Sequence, residues 1–310
     1  MSWDCTTPVA LIIFNRPDTT ARVFAEIAKA KPQKLFLIAD GPRLDRPNDG
    51  ERCAAARAVA ERVNWDCEVF TNYSEVNLGC KMRPVTGINW VFQNAEEAII
   101  LEDDCLPHPT FFRFCEELLQ RYRDDERVMM ISGTNLLGEW KGNDRSYHFS
   151  FFGGSWGWAS WRRAWAYFDA ELKLLPQILE AQFLENLFQD PSHSSYWKKT
   201  FQAVFHGKIT TAWDYQWVLA CWIQNGFRII PEVNLVSNIG CGEDATHTAG
   251  ESEVANLPTY PMLFPLKHPP FMNRSFAMDT LTNERFYATP SAGIISRLKR
   301  RVERARRRTS

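Results

Sequence analysis

The chain has 310 residues, of which 45% are hydrophobic and 24% are charged, and these are ordinary values for a globular protein. The length is sufficient for one large domain or two small ones. No segment reaches the roughly 18 uninterrupted apolar residues of a membrane-spanning helix. The N-terminal sequence MSWDCTTPVALIIF also lacks the basic start of a signal peptide.

The net charge of −1 is distributed unevenly along the chain. Residues 297–310 hold eight Lys or Arg and one Glu, a net charge of +7, so the other residues carry −8. Residues 294–308 predict an amphipathic helix that lies on an anionic membrane surface, with a disordered, solvated tail as the alternative. Nucleic-acid binding is a second interpretation of the basic tail. The acidic body has no basic groove, which argues against a nucleic-acid substrate.

Eight cysteines are scattered along the chain without a CxxC pair, so zinc-ribbon spacing is absent. Without an export signal, this usage indicates free thiols in a reducing cytoplasm. The expected location is therefore cytoplasmic, with peripheral attachment to the inner face of the membrane through the basic tail.

Short apolar runs alternate with helical patterns between residues 8 and 133. Strands are predicted at 8–14, 34–40, 67–72, 96–104 and 127–133, and helices from Pro17 and at 52–63, 83–95 and 108–125. This alternation predicts an α/β fold with a mostly parallel, Rossmann-like sheet sandwiched by helices. After residue 133 the chain is mainly helical over 162–225.

Polar residues follow three of the predicted strands at the point where each strand ends. They are Asn15-Arg16, Asp40-Gly41 and Glu102-Asp103-Asp104. Ligands of parallel sheets bind beyond the carboxyl ends of the strands, so these groups are expected to share one site. Carboxylates at the end of a buried strand favour a hard divalent cation such as Mn²⁺ or Mg²⁺. The alternative is that they face solvent or cap the helix near Pro109.

The stretches VALIIFNR, LFLIADG and AIILEDDCLPHPTFFRF resemble the catalytic core of GT-A fold glycosyltransferases. The likeness is to the N-acetylglucosaminyltransferase I family and to bacterial sugar transferases of the hemolysin-like or family-2-like kind. It spans roughly residues 8–250. The resemblance implies a GT-A fold with a nucleotide-sugar half, a helical acceptor half and, in this chain, the basic C-terminal tail in addition.

The resemblance also implies roles for the residues at the strand ends. Asp104 would bind the metal ion, Asp103 would lie near the ribose or sugar, and Glu102 near the base or the donor hexose. Arg16 would lie beside the uracil and the phosphates, and Asp40 would contact the uracil. The alternatives are a surface position for Arg16 and a turn-forming role for Asp40.

Two further segments resemble parts of the same family. In NLGCKMRP (77–84), Lys81 or Arg83 would reach the diphosphate, with a solvated basic turn as the alternative. In TTAWDYQW (210–217), Asp214 matches the first Asp of the family's Trp-Asp-Asp-Trp motif and would be the base that deprotonates the acceptor hydroxyl. A helix-capping role is the alternative for Asp214.

The acceptor side is predicted from two more stretches. In FFGGSWGWASW (151–161), Trp156 and Trp158 would stack on sugar rings, unless they simply fill the core. In GCGEDATHTAG (240–250), a loop by composition, His247 is a candidate metal or phosphate ligand, and Glu243 and Asp244 are candidate contacts of acceptor hydroxyls.

The predicted organisation is a GT-A domain over 1–255, split at residue 133, followed by a surface-wrapping extension at 256–290 and a basic tail at 291–310. The expected function is metal-dependent, inverting transfer of a sugar from a nucleotide-sugar, UDP-linked, to a glycan or lipid-linked acceptor in bacterial surface glycan synthesis. A sugar nucleotidyltransferase is one alternative, but NRPDTT lacks its glycine-rich phosphate loop. A non-catalytic glycan-binding protein using the twelve Trp is the other.

Overall fold

The computed structural model describes residues 4–140, 144–188, 190–240 and 254–287. The chain forms two compact units. The first consists of Met1–Ala170 and Thr211–Ser275, and the second of Glu171–Thr210 and Phe276–Ser310.

The strands and helices in chain order are β1 (Val9–Ile13), α1 (Pro17–Ala30), β2 (Lys34–Ala39), α2 (Asp49–Ala60), β3 (Glu68–Tyr73), α3 (Gly79–Asn94), β4 (Glu97–Glu102), β5 (Cys105–Pro107), α4 (Thr110–Arg121), β6 (Val128–Ser132), β7 (Tyr147–Ser150), β8 (Trp158–Trp161), α5 (Arg162–Trp165), α6 (Leu175–Glu180), α7 (Phe183–Leu187), α8 (Pro191–Phe205), α9 (Asp214–Ile223), β9 (Phe227–Pro231), β10 (Val236–Asn238) and α10 (Phe276–Phe286).

An eight-stranded sheet with the order β3-β2-β1-β4-β8-β6-β9-β7 forms the centre of the first unit. Strands β3, β2, β1 and β4 are mutually parallel, and β6 is parallel to β9. Strands β8 and β7 run antiparallel to their neighbours. The sheet is therefore mostly parallel, which confirms the predicted fold class. A small antiparallel sheet pairs β10 with β5.

Both faces of the sheet are covered by helices, as its apolar strands require. Along β1, Val9, Leu11 and Ile13 point into one core, whereas Ala10 and Ile12 point into the other. The first core also contains the apolar residues of α1 and α4, and the second those of α3, α5 and α9. Strands β1, β2, β4 and β6 read as apolar runs because both of their faces are buried, whereas the edge strand β3 is partly exposed.

Strand β8 lies in the middle of the sheet, although its sequence follows a glycine-rich stretch that did not predict a strand. It pairs with β4 through Trp158, Ala159, Ser160 and Trp161, and with β6 through Trp158 and Ala159. The turn before β8 depends on Gly157, whose φ of +61° is unfavourable for other residues and where an added Cβ would lie 2.7 Å from the Val236 side chain.

Helix α3 begins at Gly79, four residues before the predicted start. The signal for this start is not local, because the Asp40 carboxylate accepts hydrogen bonds from the backbone N–H groups of Leu78 (2.8 Å) and Gly79 (2.9 Å). A side chain from the end of β2 therefore caps a helix that follows β3. The local sequence offers no such cap.

The second unit is helical and contains α6, α7, α8 and α10. Asp190 caps α8 by accepting from the N–H of Ser192 at 2.7 Å, with Pro191 as the first helical residue. Trp197 Nε1 donates to Asn283 Oδ1 at 2.9 Å and so joins α8 to α10. Helix α10 was not predicted, since its sequence has weak periodicity.

Candidate active site

The order of the parallel strands creates a switch point beside β1. The chain runs from β1 outward to β2 and β3, then returns to β4 on the other side of β1. At such a point the connections leave the sheet in opposite directions and open a crevice beyond the strand ends. Arg16 follows β1, and residues 102–104 end β4, so both groups lie at this crevice.

An ion pair bridges the crevice. Arg16 Nη1 donates to Asp104 Oδ2 at 2.8 Å, and the two side chains retain 19% and 18% of their exposure. Arg16 precedes the first helical residue of α1, Pro17. The structure thus brings together two of the residues that the sequence predicted for one site, and leaves both partly open to solvent.

The carboxylates of Asp103 and Asp104, in the turn that follows β4, have different surroundings. Asp103 is buried, and its Oδ2 accepts from the backbone N–H of Phe14 at 2.9 Å. This bond ties the end of β4 to the end of β1. Asp103 therefore helps to fix the shape of the crevice, and Asp104 is the carboxylate that is partly exposed within the crevice.

Negative charge accumulates around Glu102. Burial raises the pKa of the Glu102 carboxyl well above its usual value. Three neighbouring carboxylates raise it further, in the order Asp104, Asp103 and Asp214. Arg16 opposes these effects without cancelling them. Burial and the Asp104 charge likewise raise the pKa of Asp103. The crevice is thus an environment that a bound cation would stabilise.

The segment after β10 approaches Asp104 closely from the other side. Ile239 donates its backbone N–H to the Asp104 carbonyl at 2.8 Å. A Cβ added to Gly240 would overlap Asp104 Oδ2 and would lie 2.7 Å from both Asp104 Cβ and Arg16 Nη1. Only glycine allows the backbone to pass the ion pair here.

Asp40 is buried, and both of its carboxylate oxygens accept hydrogen bonds from neighbouring groups of the protein. Oδ1 accepts from the N–H groups of Gly41 (2.9 Å) and Leu78 (2.8 Å). Oδ2 accepts from Gly79 N–H (2.9 Å) and Asn77 Nδ2 (3.1 Å). These contacts support the turn-forming alternative, so Asp40 is removed from the candidate uracil contacts.

Lys81 lies in the first turn of α3, and its Nζ is 3.1 Å from the side-chain amide of Gln216 in α9. It forms no ion pair with a carboxylate in the described part of the chain. Arg83, the other basic residue of this segment, is buried and donates from Nη2 to the backbone and side-chain oxygens of Asn72 at 2.5 and 2.7 Å. Lys81 is therefore the better candidate for contact with a phosphate.

Asp214 is the first residue of α9 and is partly exposed. Its charge contributes to the raised pKa of Glu102, so the predicted base lies within electrostatic range of that carboxylate. Trp213 and Trp217 flank it and are buried against Trp158 at ring distances of 5.9 Å each. Burial of these indoles fixes the N-terminus of α9 at the crevice.

The two tryptophans predicted to stack on sugar rings differ in exposure. Trp158 is only 1% exposed, because it sits in the central strand β8 between α5 and α9. It is therefore a core residue and is removed from the candidate acceptor site, in line with the core-filling alternative. Trp156 is half-buried, and its carbonyl accepts from Thr134 Oγ1 at 2.7 Å. Trp156 stays a candidate.

Several predicted features lie outside the described residues: Glu243, Asp244, His247 and the basic tail at 291–310. In the described ranges no three His, Cys, Asp or Glu residues are arranged to hold a metal ion between them. Over the same ranges, no helix has the length and apolar character needed to cross a bilayer. The cysteines that the structure describes are all free thiols, as expected.

The described residues could hold a divalent cation only together with a bound ligand that supplies further oxygen atoms. Asp104 offers a partly exposed carboxylate, and the crevice around it is acidic. Mg²⁺ and Mn²⁺ commonly take one or two carboxylates and complete their coordination with water and substrate phosphates. The donor set suits an ion shared with a phosphate ligand and does not form a complete protein cage.

Two residues at the site were not identified from the sequence. Gly240 belongs to a stretch that was interpreted as a loop by composition alone. Gln216 is a polar residue on the buried side of an otherwise apolar helix, which was a usable signal for a specific contact.

No known protein-family profile matches the chain, and no curated protein matches it. Among solved structures, the chain is similar to UDP-glucose pyrophosphorylase complexed with UDP-glucose. The alignment has 13% identity and a TM-score of 0.28, and it covers 46% of this chain and 67% of the other. A TM-score this low carries no inference about the function of this chain.

Proposed function

We propose that this protein is a glycosyltransferase that uses a nucleotide-sugar, with UDP as the nucleotide. One observation carries the proposal: Arg16 and Asp104 form an ion pair at the switch-point crevice, with Glu102 and Asp214 beside it. A crevice at this position is where α/β sheets bind nucleotides. The cation of Arg16 and the acidic surroundings together suit a diphosphate bound with a divalent ion.

In the proposed reaction, Asp214 accepts the proton of the acceptor hydroxyl. The hydroxyl oxygen forms a bond to the anomeric carbon while the bond from that carbon to the phosphate oxygen breaks. The nucleoside diphosphate leaves with the bonding electron pair, and Arg16 and Lys81 stabilise its charge. A Mn²⁺ or Mg²⁺ ion held through Asp104 would neutralise the same leaving group. Transfer with inversion at the anomeric carbon is proposed from the sequence resemblance.

Two alternatives are less well supported. A sugar nucleotidyltransferase would need a phosphate-binding loop after β1, but that connection is Phe14, Asn15 and Arg16, without glycine. A glycan-binding protein would need exposed indoles. Seven of the described tryptophans are instead buried: Trp158, Trp161, Trp165, Trp197, Trp213, Trp217 and Trp222.

A panel of nucleotide-sugars with Mn²⁺ tests the proposal, with release of nucleoside diphosphate as the readout. We expect at least one UDP-sugar to be turned over, and the rate to fall with Asp214→Asn. Release of pyrophosphate from a nucleoside triphosphate and a sugar 1-phosphate would instead identify a nucleotidyltransferase. The proposal is wrong if no nucleotide-sugar is bound or consumed. The acceptor class, a glycan or lipid-linked saccharide, and the membrane contact of residues 294–308 stay predictions.

A further inference from the structure

The side-chain amide of Gln216, in α9, contacts the ammonium group of Lys81, in α3. The Gln216 side chain is 1% exposed, and its amide lies 3.1 Å from Lys81 Nζ and 3.1 Å from the Trp213 carbonyl oxygen. A buried amide with two polar neighbours has a defined orientation, because each neighbour accepts only one end of it.

The neighbours determine which end faces Lys81. An ammonium group can only donate, and the Trp213 carbonyl can only accept. With the amide oxygen toward Lys81, both contacts are hydrogen bonds. With the nitrogen toward Lys81, two donors face each other, and the amide gains a 3.3 Å hydrogen bond to the Ala170 carbonyl instead. The first orientation satisfies the charged group and is the one expected.

The chemistry of this contact matters because carboxylates are abundant nearby. Glu102 and Asp214 lie in the same crevice, yet Lys81 is held by a neutral acceptor and pairs with no described carboxylate. A neutral amide orients an ammonium group without neutralising it. The charge of Lys81 thus stays available to an anionic ligand.

We infer that Gln216 is a positioning residue that holds Lys81 toward the diphosphate of the donor. This inference rests on the proposed function and extends it. Gln216 lies two residues after Asp214, so the amide that orients the phosphate-binding lysine and the carboxylate that takes the acceptor proton belong to one turn of α9. The first turn of this helix thereby connects the donor and acceptor sides of the site.

Binding of UDP and of uridine, measured by calorimetry with Mg²⁺, tests this role. Uridine serves as the matched ligand because it lacks the phosphates. Gln216→Met keeps the volume and removes the hydrogen bond, and we expect it to raise the Kd of UDP about threefold. Gln216→Glu adds a carboxylate that pairs with Lys81, and we expect an increase of about thirtyfold. The Kd of uridine should change less than about twofold in both variants.

Lys81→Met provides the second arm of a double-mutant cycle. On its own it should raise the Kd of UDP about tenfold. In its background Gln216→Met should have no further effect, since the contact no longer exists. Gln216→Met carries the test by itself if the buried carboxylate of Gln216→Glu prevents folding.

The outcomes separate this inference from the proposed function. If the wild-type protein binds no UDP, both fail. If wild-type UDP binding is weakened by Lys81→Met but not by Gln216→Met, only the role of Gln216 is wrong. An equal loss of UDP and uridine binding in Gln216→Met would show a general disturbance of the site and would also overturn the inference.

Discussion

The turn after β2 and the turn after β4 both contain an aspartate, but the two aspartates have different surroundings. Each turn follows an apolar parallel strand and carries its aspartate at the same edge of the sheet. Asp40 is buried and receives four hydrogen bonds from its own turn and from the start of α3. Asp104 is partly exposed, and its described partner at Oδ2 is the cation of Arg16.

The difference lies in the donors that surround each carboxylate. Backbone N–H groups cannot leave, so Asp40 is committed to the fold. A guanidinium on a flexible side chain can exchange a carboxylate for a phosphate, which makes Asp104 and Arg16 candidates for contact with a ligand. An acidic residue at a strand end is thus a functional candidate only when the backbone does not already satisfy it.

Asp104→Asn should produce the largest effect on activity. We expect kcat/KM for the nucleotide-sugar to fall about 100-fold or more, because the variant loses the charge that holds a cation at the leaving diphosphate. The free energy of unfolding should change by less than about 0.5 kcal/mol, since the ion pair is near the surface. Activity assays and urea denaturation check the two parts. A stable and fully active variant would show that Asp104 does not hold the metal ion.

Asp40→Asn should produce the largest effect on stability. An amide in this position keeps one acceptor and turns an NH₂ group toward backbone donors, so we expect a loss of about 2 kcal/mol in the free energy of unfolding. Urea denaturation measures it, with the exposed Asp45→Asn as the matched control near zero. If Asp40→Asn were as stable as the control and lost only nucleotide binding, the uracil contact would have to be restored.

Gly240→Ala should disturb the ion pair without unfolding the protein. The added methyl group overlaps Asp104 and Arg16, so we expect kcat/KM to fall about tenfold through displacement of these side chains. Gly50→Ala is the matched control, because a Cβ there meets nothing within 4 Å and should leave activity unchanged. Equal activity of the two variants would show that the ion pair is not part of the site.

The pH dependence of the free energy of unfolding should have opposite signs for a carboxyl group with a raised pKa and for one with a lowered pKa. Burial and neighbouring charges raise the pKa of Glu102, so its contribution is present at acidic pH and is lost as pH rises above the ordinary value of 4.5. Glu102→Gln should therefore gain about 1 kcal/mol relative to wild type between pH 5 and pH 8.

Asp49, the first residue of α2, should behave in the reverse way. Its hydrogen bond from Arg43, followed by that from Asn15, lowers the pKa to about 2 against the effect of burial. Its contribution is present above 3.8 and is lost as pH falls toward 2. Asp49→Asn should lose about 1 kcal/mol at neutral pH, with the difference closing in acid. Denaturation series at several pH values measure both variants, and a shift of the two in the same direction would show that one of the two expectations is wrong.

Local sequence was sufficient to predict the central parallel strands β1, β2 and β4, because strands buried on both faces are continuous apolar runs. It also singled out Arg16, Asp104 and Asp214, which lie at or next to the ends of strands and helices, and their functional roles stay predictions. Strand β8 was missed because it has only four residues and directly follows the glycine-rich stretch 153–157. The structural role of Asp40 was left open because its partners Leu78 and Gly79 follow a different strand.

The tryptophans around Asp214 have an optical consequence. Trp213 and Trp217 lie one residue before and three residues after Asp214, and they belong to a buried cluster with Trp158 and Trp165. Indole emission responds to the distances between neighbouring rings, so a rotation of the first turn of α9 is expected to change it. Binding of a ligand beside Asp214 would then be measurable by intrinsic fluorescence of the unlabelled protein.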